Sequence, residues 1–217
     1  MSEGVSGRAG FEVRLESVVG RYGEKDVVGP LTVRFEGPGL YWILGPNGSG
    51  KSTLLRMMAG LKRPGGGRVR WVRAGEDLRA ERLRSLSGLA APEIQLYRDL
   101  SVRENLEFLA RLRGNGARAG VSVALERAGI VTLADAQPMS LSSGQRQRAR
   151  LAAAWLGDPE LLLLDEPSSN LDAEARDWLY AEVRERARDT LVVVTTNQRQ
   201  EPAAGEPRLD LGEIGRR

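Results

Sequence analysis

The 217-residue chain has no cysteine and no histidine. The first absence excludes disulfides and thiolate chemistry. The second removes the commonest general base and the commonest metal ligand before any site is considered. Lysine is scarce too: of 32 basic residues only Lys25, Lys51 and Lys62 are lysines, and arginine supplies the rest. Long apolar runs are also missing. The aliphatic stretches Leu161–Leu164 and Leu191–Val194 fall far short of the roughly 20 residues that cross a bilayer as a helix. The opening Met-Ser-Glu-Gly-Val-Ser-Gly lacks the basic and apolar regions of a signal peptide, so a cytoplasmic location is expected, with any membrane association made through a partner. Charge of either sign is not in excess, since 32 basic residues face 29 acidic ones. The arginines of Arg79–Arg84 alternate with acidic and apolar residues. That pattern reads as a solvated helix face, and no nucleic-acid partner is expected.

What is present suits a globular α/β protein. Hydrophobic residues make up 41% and charged residues 28%, enough for one large domain or one domain with an inserted subdomain. Phe11–Leu15 and Leu31–Phe35 alternate apolar with polar residues, the signature of half-buried strands. Coming before any long helix, they suggest an antiparallel group leaning on a second sheet. Leu40–Leu44 reads as a buried strand, Leu54–Ala59 as helix, Arg68–Val72 as strand, and Leu86–Ala90 as another. From Ser101 to about Leu156 the period becomes helical. Ser101-Val102-Arg103-Glu104 forms a capping box, Gly114-Asn115-Gly116 ends the first helix, and further helices run near Val121–Ala128 and from about Gly144. Strand character returns at Leu161–Leu164, followed by a helix from Asp172 to Arg186, a strand at Leu191–Val194 and an edge strand at Arg208–Leu211. The expected division is a core at 11–90 and 157–212 carrying an antiparallel part, with 91–156 as a connecting loop and helical subdomain.

Between the strand at 40–44 and the helix at 54–59 lies Gly45-Pro46-Asn47-Gly48-Ser49-Gly50-Lys51-Ser52-Thr53. It fits G-x-x-x-x-G-K-[ST] with a strand before it and a helix after it. The alternative is a chance glycine-rich turn, which has no reason to carry all three features. Glycines let backbone N–H groups wrap a phosphate chain, the helix N-terminus adds positive potential, Lys51 adds a full charge, and Ser52 offers a hydroxyl to Mg²⁺. A nucleoside triphosphate is the expected ligand. Asp165 ends a buried strand and suits a hold on that Mg²⁺ through water. Glu166 follows it, placed to polarise an attacking water.

Leu141-Ser142-Ser143-Gly144-Gln145 precedes an arginine-rich helix, and Leu161–Leu164 then runs into Asp165-Glu166-Pro167. Phosphate loop, serine-glycine-glutamine signature and Asp-Glu strand, in that order, resemble the ATP-binding cassette (ABC) ATPases over about residues 11–212. The resemblance implies a phosphate-loop NTPase core of mostly parallel sheet flanked by helices, with an antiparallel β subdomain and an inserted helical subdomain. It implies ATP and Mg²⁺ as cofactors and Glu166 as the catalytic glutamate. It also implies that the signature, Ser142 to Gln145, serves the γ-phosphate bound by a second copy. One cassette per chain then means a homodimer, or a dimer with a related subunit, coupled to a membrane-spanning permease on the inner face of the cell membrane. Ser169-Asn170-Leu171-Asp172 resembles the loop that crosses that interface. Tyr22 lies where the family stacks an aromatic on adenine, though beside Gly20 and Gly23 it equally fits a surface turn.

Two positions depart from the family pattern. Asn197 stands where a histidine contacts the γ-phosphate; its amide can donate one hydrogen bond but cannot carry charge or move a proton, so slow turnover is expected. Pro92 stands where the connecting loop carries a glutamine, leaving Glu93 or Gln95 as substitutes. The small single cassette resembles bacterial exporter ATPases, and the missing glutamine those of the haem-exporter (cytochrome c maturation) type. A nucleotide-gated module with vestigial hydrolysis is the alternative reading.

Overall fold

Every second residue from Phe11 to Leu15 is buried, and the strand they begin runs on to Tyr22. In the computed structural model, which describes residues 10–23, 25–113, 120–198 and 202–214, this β1 (Phe11–Tyr22) pairs antiparallel with β2 (Lys25–Glu36). Residues 1–9 and the proposed helix stop at Gly114-Asn115-Gly116 lie outside the described residues. Next come β3 (Gly39–Leu44), α1 (Lys51–Met58), β4 (Gly66–Arg73), β5 (Glu76–Leu78), α2 (Ala80–Leu86) and β6 (Ser87–Ala90). Then follow α3 (Val102–Arg113), α4 (Gly120–Arg127), α5 (Ser143–Trp155), β7 (Leu161–Asp165), α6 (Ala173–Arg186), β8 (Leu191–Thr196), β9 (Arg208–Asp210) and α7 (Leu211–Ile214).

Two sheets result. One is antiparallel, ordered β2-β1-β4-β5; the other is parallel, ordered β6-β7-β8-β3-β9. The central strands β7 and β8 are buried along their whole length, as parallel strands covered on both faces must be. Their side chains divide by the two-residue period. Leu162, Leu164, Val192 and Val194 join the core beneath α3, α4, α5 and α6. Leu161, Leu163, Leu191 and Val193 join a second core with α1 and the antiparallel strands. A register slip of one residue in β7 would exchange these two sets, so both cores fix its position.

Two boundaries differ from the sequence reading. Leu86 closes α2 instead of opening a strand, because Ala80–Leu86 is a run of helix formers and β6 pairs with β7 only from Ser87. Leu211 starts the short α7 rather than ending β9, and the Gly212 N–H is taken by Asp210 Oδ1 at 2.9 Å.

Candidate functional site

The turn between β3 and α1 is built around backbone that only glycine adopts readily. Gly50 caps α1 at φ 92°, and a Cβ there would lie 2.2 Å from Val28 Cγ2 and 2.8 Å from the Val27 carbonyl. Gly45 is equally constrained, since a Cβ would meet Ser49 Oγ at 2.5 Å. Any side chain at either position would force the loop open. Lys51, the first residue of α1, is only 6% exposed. Its ammonium donates to the carbonyls of Gly45 at 2.8 Å and Pro46 at 3.2 Å, and stands 3.2 Å from Glu166 Oε1. A charge so buried is tolerable because all three neighbours are acceptors.

The opposite wall comes from β7 and β8. Asp165 is buried, and its carboxylate accepts from the Thr195 hydroxyl. Glu166 leaves the strand at φ 47°, a left-handed conformation costing about 1–2 kcal/mol for a residue with a side chain. It is held there by its N–H to the Thr195 carbonyl at 3.0 Å. The kink turns the Glu166 carboxylate back toward Lys51, and its Oε2 accepts from the Asn197 N–H at 3.3 Å. Asn197 in turn reaches the phosphate loop, its Nδ2 donating to Asn47 Oδ1 at 3.3 Å.

Around these groups lies a cleft of about 390 Å³. Of the sequence candidates it is lined by Tyr22, Asn47, Gly48, Gly50, Lys51, Ser52, Thr53 and Glu166. Gly45, Pro46 and Ser49 shape the loop behind it. Tyr22 sits at the mouth, 70% exposed, with the Lys62 ammonium 6.0 Å from its ring centroid; it ends β1 rather than occupying a turn. The sequence reading missed Val27, Arg56 and Thr195. Arg56 had a findable signal, because it stands one helical turn after Ser52 and so shares its face. Among the described residues no cluster of three or more acidic side chains could bind a metal unaided. A cation at Ser52 and Asp165 would therefore take its other oxygens from water and phosphate, as Mg²⁺ commonly does. Asp165 suits this, because a carboxylate that accepts one hydrogen bond from Thr195 keeps lone pairs for a metal-bound water.

The signature is elsewhere. Ser142 to Gln145 do not line this cleft. Ser142 caps α5, its Oγ accepting from the Gln145 N–H at 3.2 Å while the Gln145 side chain accepts from the Ser142 N–H at 2.9 Å. This capping box leaves the Ser142 O–H and the first-turn N–H groups of Ser143 and Gly144 directed out of the helix end. Of the two substitutes for the missing glutamine, Glu93 is ion-paired to Arg56, with Nε–Oε1 2.7 Å. Gln95 lines two recesses and not this cleft.

Comparison with known proteins agrees with this geometry. A family model described as ABC transporter matches residues 29–169. A Nod factor export ATP-binding protein I of Burkholderia orbicola is 36% identical over 209 residues, covering 94% of this chain and 69% of the relative. A sulfate/thiosulfate import ATP-binding protein CysA of Synechococcus elongatus is 37% identical over 196 residues, covering 87% of this chain and 56% of the relative. A dimeric bacterial ABC transporter cassette has the same fold at TM-score 0.80 and 24% identity, covering 92% of this chain and 95% of that one. A post-hydrolysis cassette bound to ADP and Pi covers the same shares at TM-score 0.81 and 24% identity. The named relatives include an exporter and an importer, so the haem-exporter resemblance is not carried further.

Proposed function

The chain belongs to the ABC transporter family, and from that premise we propose that it hydrolyses ATP with Mg²⁺ in a closed dimer and thereby drives a separate membrane-spanning subunit. The observation that carries this reading is that Glu166 meets both the Lys51 ammonium and the Asn197 N–H beside the cleft that Lys51 and Glu166 line. Lys51 and the loop N–H groups would cradle the β- and γ-phosphates, and Ser52 with Asp165 would hold Mg²⁺. When bound, Mg²⁺ neutralises phosphate charge and fixes its geometry. Glu166, kept in place by the Thr195 carbonyl and the Asn197 N–H, would accept a proton from the attacking water.

Gly45 to Thr53 are assigned to the triphosphate and Tyr22 to the adenine. Ser142, Ser143, Gly144 and Gln145 are assigned to the nucleotide of a second cassette. Supporting the assignment in trans are their absence from the lining of their own cleft and the outward-facing end of α5. The core at 11–90 and 157–212 and the helical part at 91–156 would move relative to each other about the 92–101 loop. No helix among the described residues is long and apolar enough to cross a membrane, so the permease would supply the anchor on the inner face of the membrane.

A second reading, a nucleotide-gated module with vestigial hydrolysis, is favoured by Asn197 and Pro92 and opposed by the Glu166 geometry. Steady-state phosphate release separates them. The proposed ATPase releases phosphate at least about 10²-fold faster than its Glu166→Gln variant, whereas the module shows no difference.

A further inference from the structure

Thr195, on β8, is wholly buried. Its strand lies between β7, where Thr195 is paired with Asp165, and β3, where it is paired with Ile43 near the entry to the phosphate loop. A threonine hydroxyl has one proton to give and lone pairs to receive, and here both are used on the candidate site. The Oγ1–H donates to Asp165 Oδ1, and Oγ1 accepts from the Glu166 N–H at 3.3 Å. That N–H is shared with the Thr195 carbonyl at 3.0 Å. One side chain therefore touches both the residue assigned to Mg²⁺ and the residue assigned to the attacking water. Burial keeps water from taking the place of the hydroxyl, and branching at Cβ restricts its χ1. Accepting from an amide also aims its proton at Asp165 and strengthens the donation.

We propose that Thr195 is a positioning residue for both carboxylates: its hydroxyl orients Asp165 for Mg²⁺ and pins the turn that carries Glu166, so that metal binding and placement of the base are joined through one side chain. The inference rests on the ATPase reading and adds the residue that links its metal-holding and proton-accepting parts. Without the hydroxyl, Asp165 would be a buried carboxylate free to rotate, with its lone pairs in no fixed direction. A hydrogen bond from behind commonly fixes such a carboxylate and tunes its hold on a metal. The contact with Glu166 acts on the backbone instead. It reaches the N–H of the residue whose left-handed φ of 47° brings its carboxylate back toward Lys51.

The test uses the full chain with Thr195→Val, which keeps the shape and removes the hydroxyl, and Thr195→Ser, which keeps the hydroxyl without the branch. Thr190→Val is the control, because Thr190 is buried at the other end of β8 and donates to the Pro159 carbonyl at 3.2 Å. Metal affinity is read without turnover, as loss of the free Mn²⁺ paramagnetic resonance signal with chain in excess over a non-hydrolysable ATP analogue. Thr195→Val should weaken Mn²⁺ binding about tenfold or more and lower kcat about tenfold at saturating Mg²⁺, with the KM for ATP within about threefold. Thr195→Ser should bring both to within about threefold of wild type, and Thr190→Val should move neither by more than about twofold. In a Glu166→Gln chain, Thr195→Val should still weaken Mn²⁺ but lower residual phosphate release no more than about twofold, since the base it places is gone. If Thr195→Val fails to fold, Thr195→Cys, with a weak donor of similar volume, should show both losses at smaller size. A lowered melting temperature with Mn²⁺ affinity and kcat unchanged would make Thr195 a core residue only and overturn the inference. Equal losses in Thr190→Val would do the same. Weaker Mn²⁺ binding with kcat unchanged would overturn the link to Glu166 and keep the one to Asp165. A wild-type chain that binds Mn²⁺ with the analogue yet releases no phosphate from ATP would sink the ATPase reading, while the Mn²⁺ measurements still decide the Asp165 contact.

Discussion

The side-chain amide of Asn197 donates to the side-chain carbonyl of Asn47 at 3.3 Å, joining the loop after β8 to a phosphate loop 150 residues earlier. Its backbone N–H meanwhile holds Glu166 Oε2. The residue thus offers Glu166 and the phosphate loop two N–H donors and no charge of its own. An exposed neutral hydrogen bond is worth about 1 kcal/mol, so Asn197→Ala should slow phosphate release about fivefold. Asn197→His should speed it by about tenfold or more, because a charged donor binds a developing phosphate charge more strongly. The chain has no other imidazole. The wild-type rate should therefore vary little with pH between about 6 and 8, whereas the histidine variant should gain a limb near pH 6.5. A histidine variant no faster than wild type would remove Asn197 from the account of slow turnover.

Glu93 is the substitute for the missing glutamine that touches the nucleotide-site helix, through Arg56. The pair is substantially exposed, 35% and 44%, so its effect on stability is at most about 1 kcal/mol. Glu93→Ala should then shift melting by only a few degrees, yet alter the KM for ATP or the turnover rate several-fold. Gln95→Ala should leave both within about twofold. Equal effects from the two substitutions would contradict the assignment.

A mixture of Lys51→Ala and Ser142→Ala chains tests whether the signature works across an interface. Each variant alone should lack hydrolysis, but a mixed dimer contains one site with an intact phosphate loop facing an intact signature. Phosphate release should reappear on mixing, to about a quarter of the wild-type level, because roughly half of the dimers are mixed at equal mixing and each of those has one competent site of two. A mixture as inactive as its components would place the signature's role within its own chain.

Glu206 lies far from the cleft and reports on the fold instead. Burial pushes its carboxyl up, but donation from Arg184, the Ala203 N–H and the Trp42 indole outweighs this and holds it below the usual range. Because the folded value is lowered, its contribution is fully present above the unfolded value of about 4.3 and disappears as pH falls through the folded one. Glu206→Gln should therefore lower the melting temperature by a few degrees at pH 7, with the difference shrinking progressively as pH falls below about 4.3. An undiminished difference at low pH would contradict the role assigned to its charge.

Much of this was legible in the residues. The unbroken Leu161–Leu164 run could be buried only as a central strand, and Gly50-Lys51-Ser52 declared the turn it occupies. The antiparallel sheet was legible only in part. Alternation in β1 breaks at Ser17, which sits at φ 50° where the register with β2 shifts, and the strand resumes beyond it. Gly29 and Pro30, residue types that usually interrupt strands, lie within β2, an edge strand where proline can be accommodated. Because the strand extends past the visible pattern, it delivers Tyr22 to the mouth of the cleft. Thr195 was hidden for another reason: its hydroxyl acts on Asp165 from the next strand, a relation set by sheet order rather than by neighbouring sequence.

Closure of two chains over shared nucleotide is the claim on which the rest depends, and sedimentation of the Glu166→Gln chain with and without magnesium-ATP measures it directly. The account predicts a shift from the 23.7 kDa monomer to a species of twice that mass on adding nucleotide, lost again in Ser142→Ala. A chain that binds magnesium-ATP and still sediments as a monomer, with its permease supplied, would contradict it.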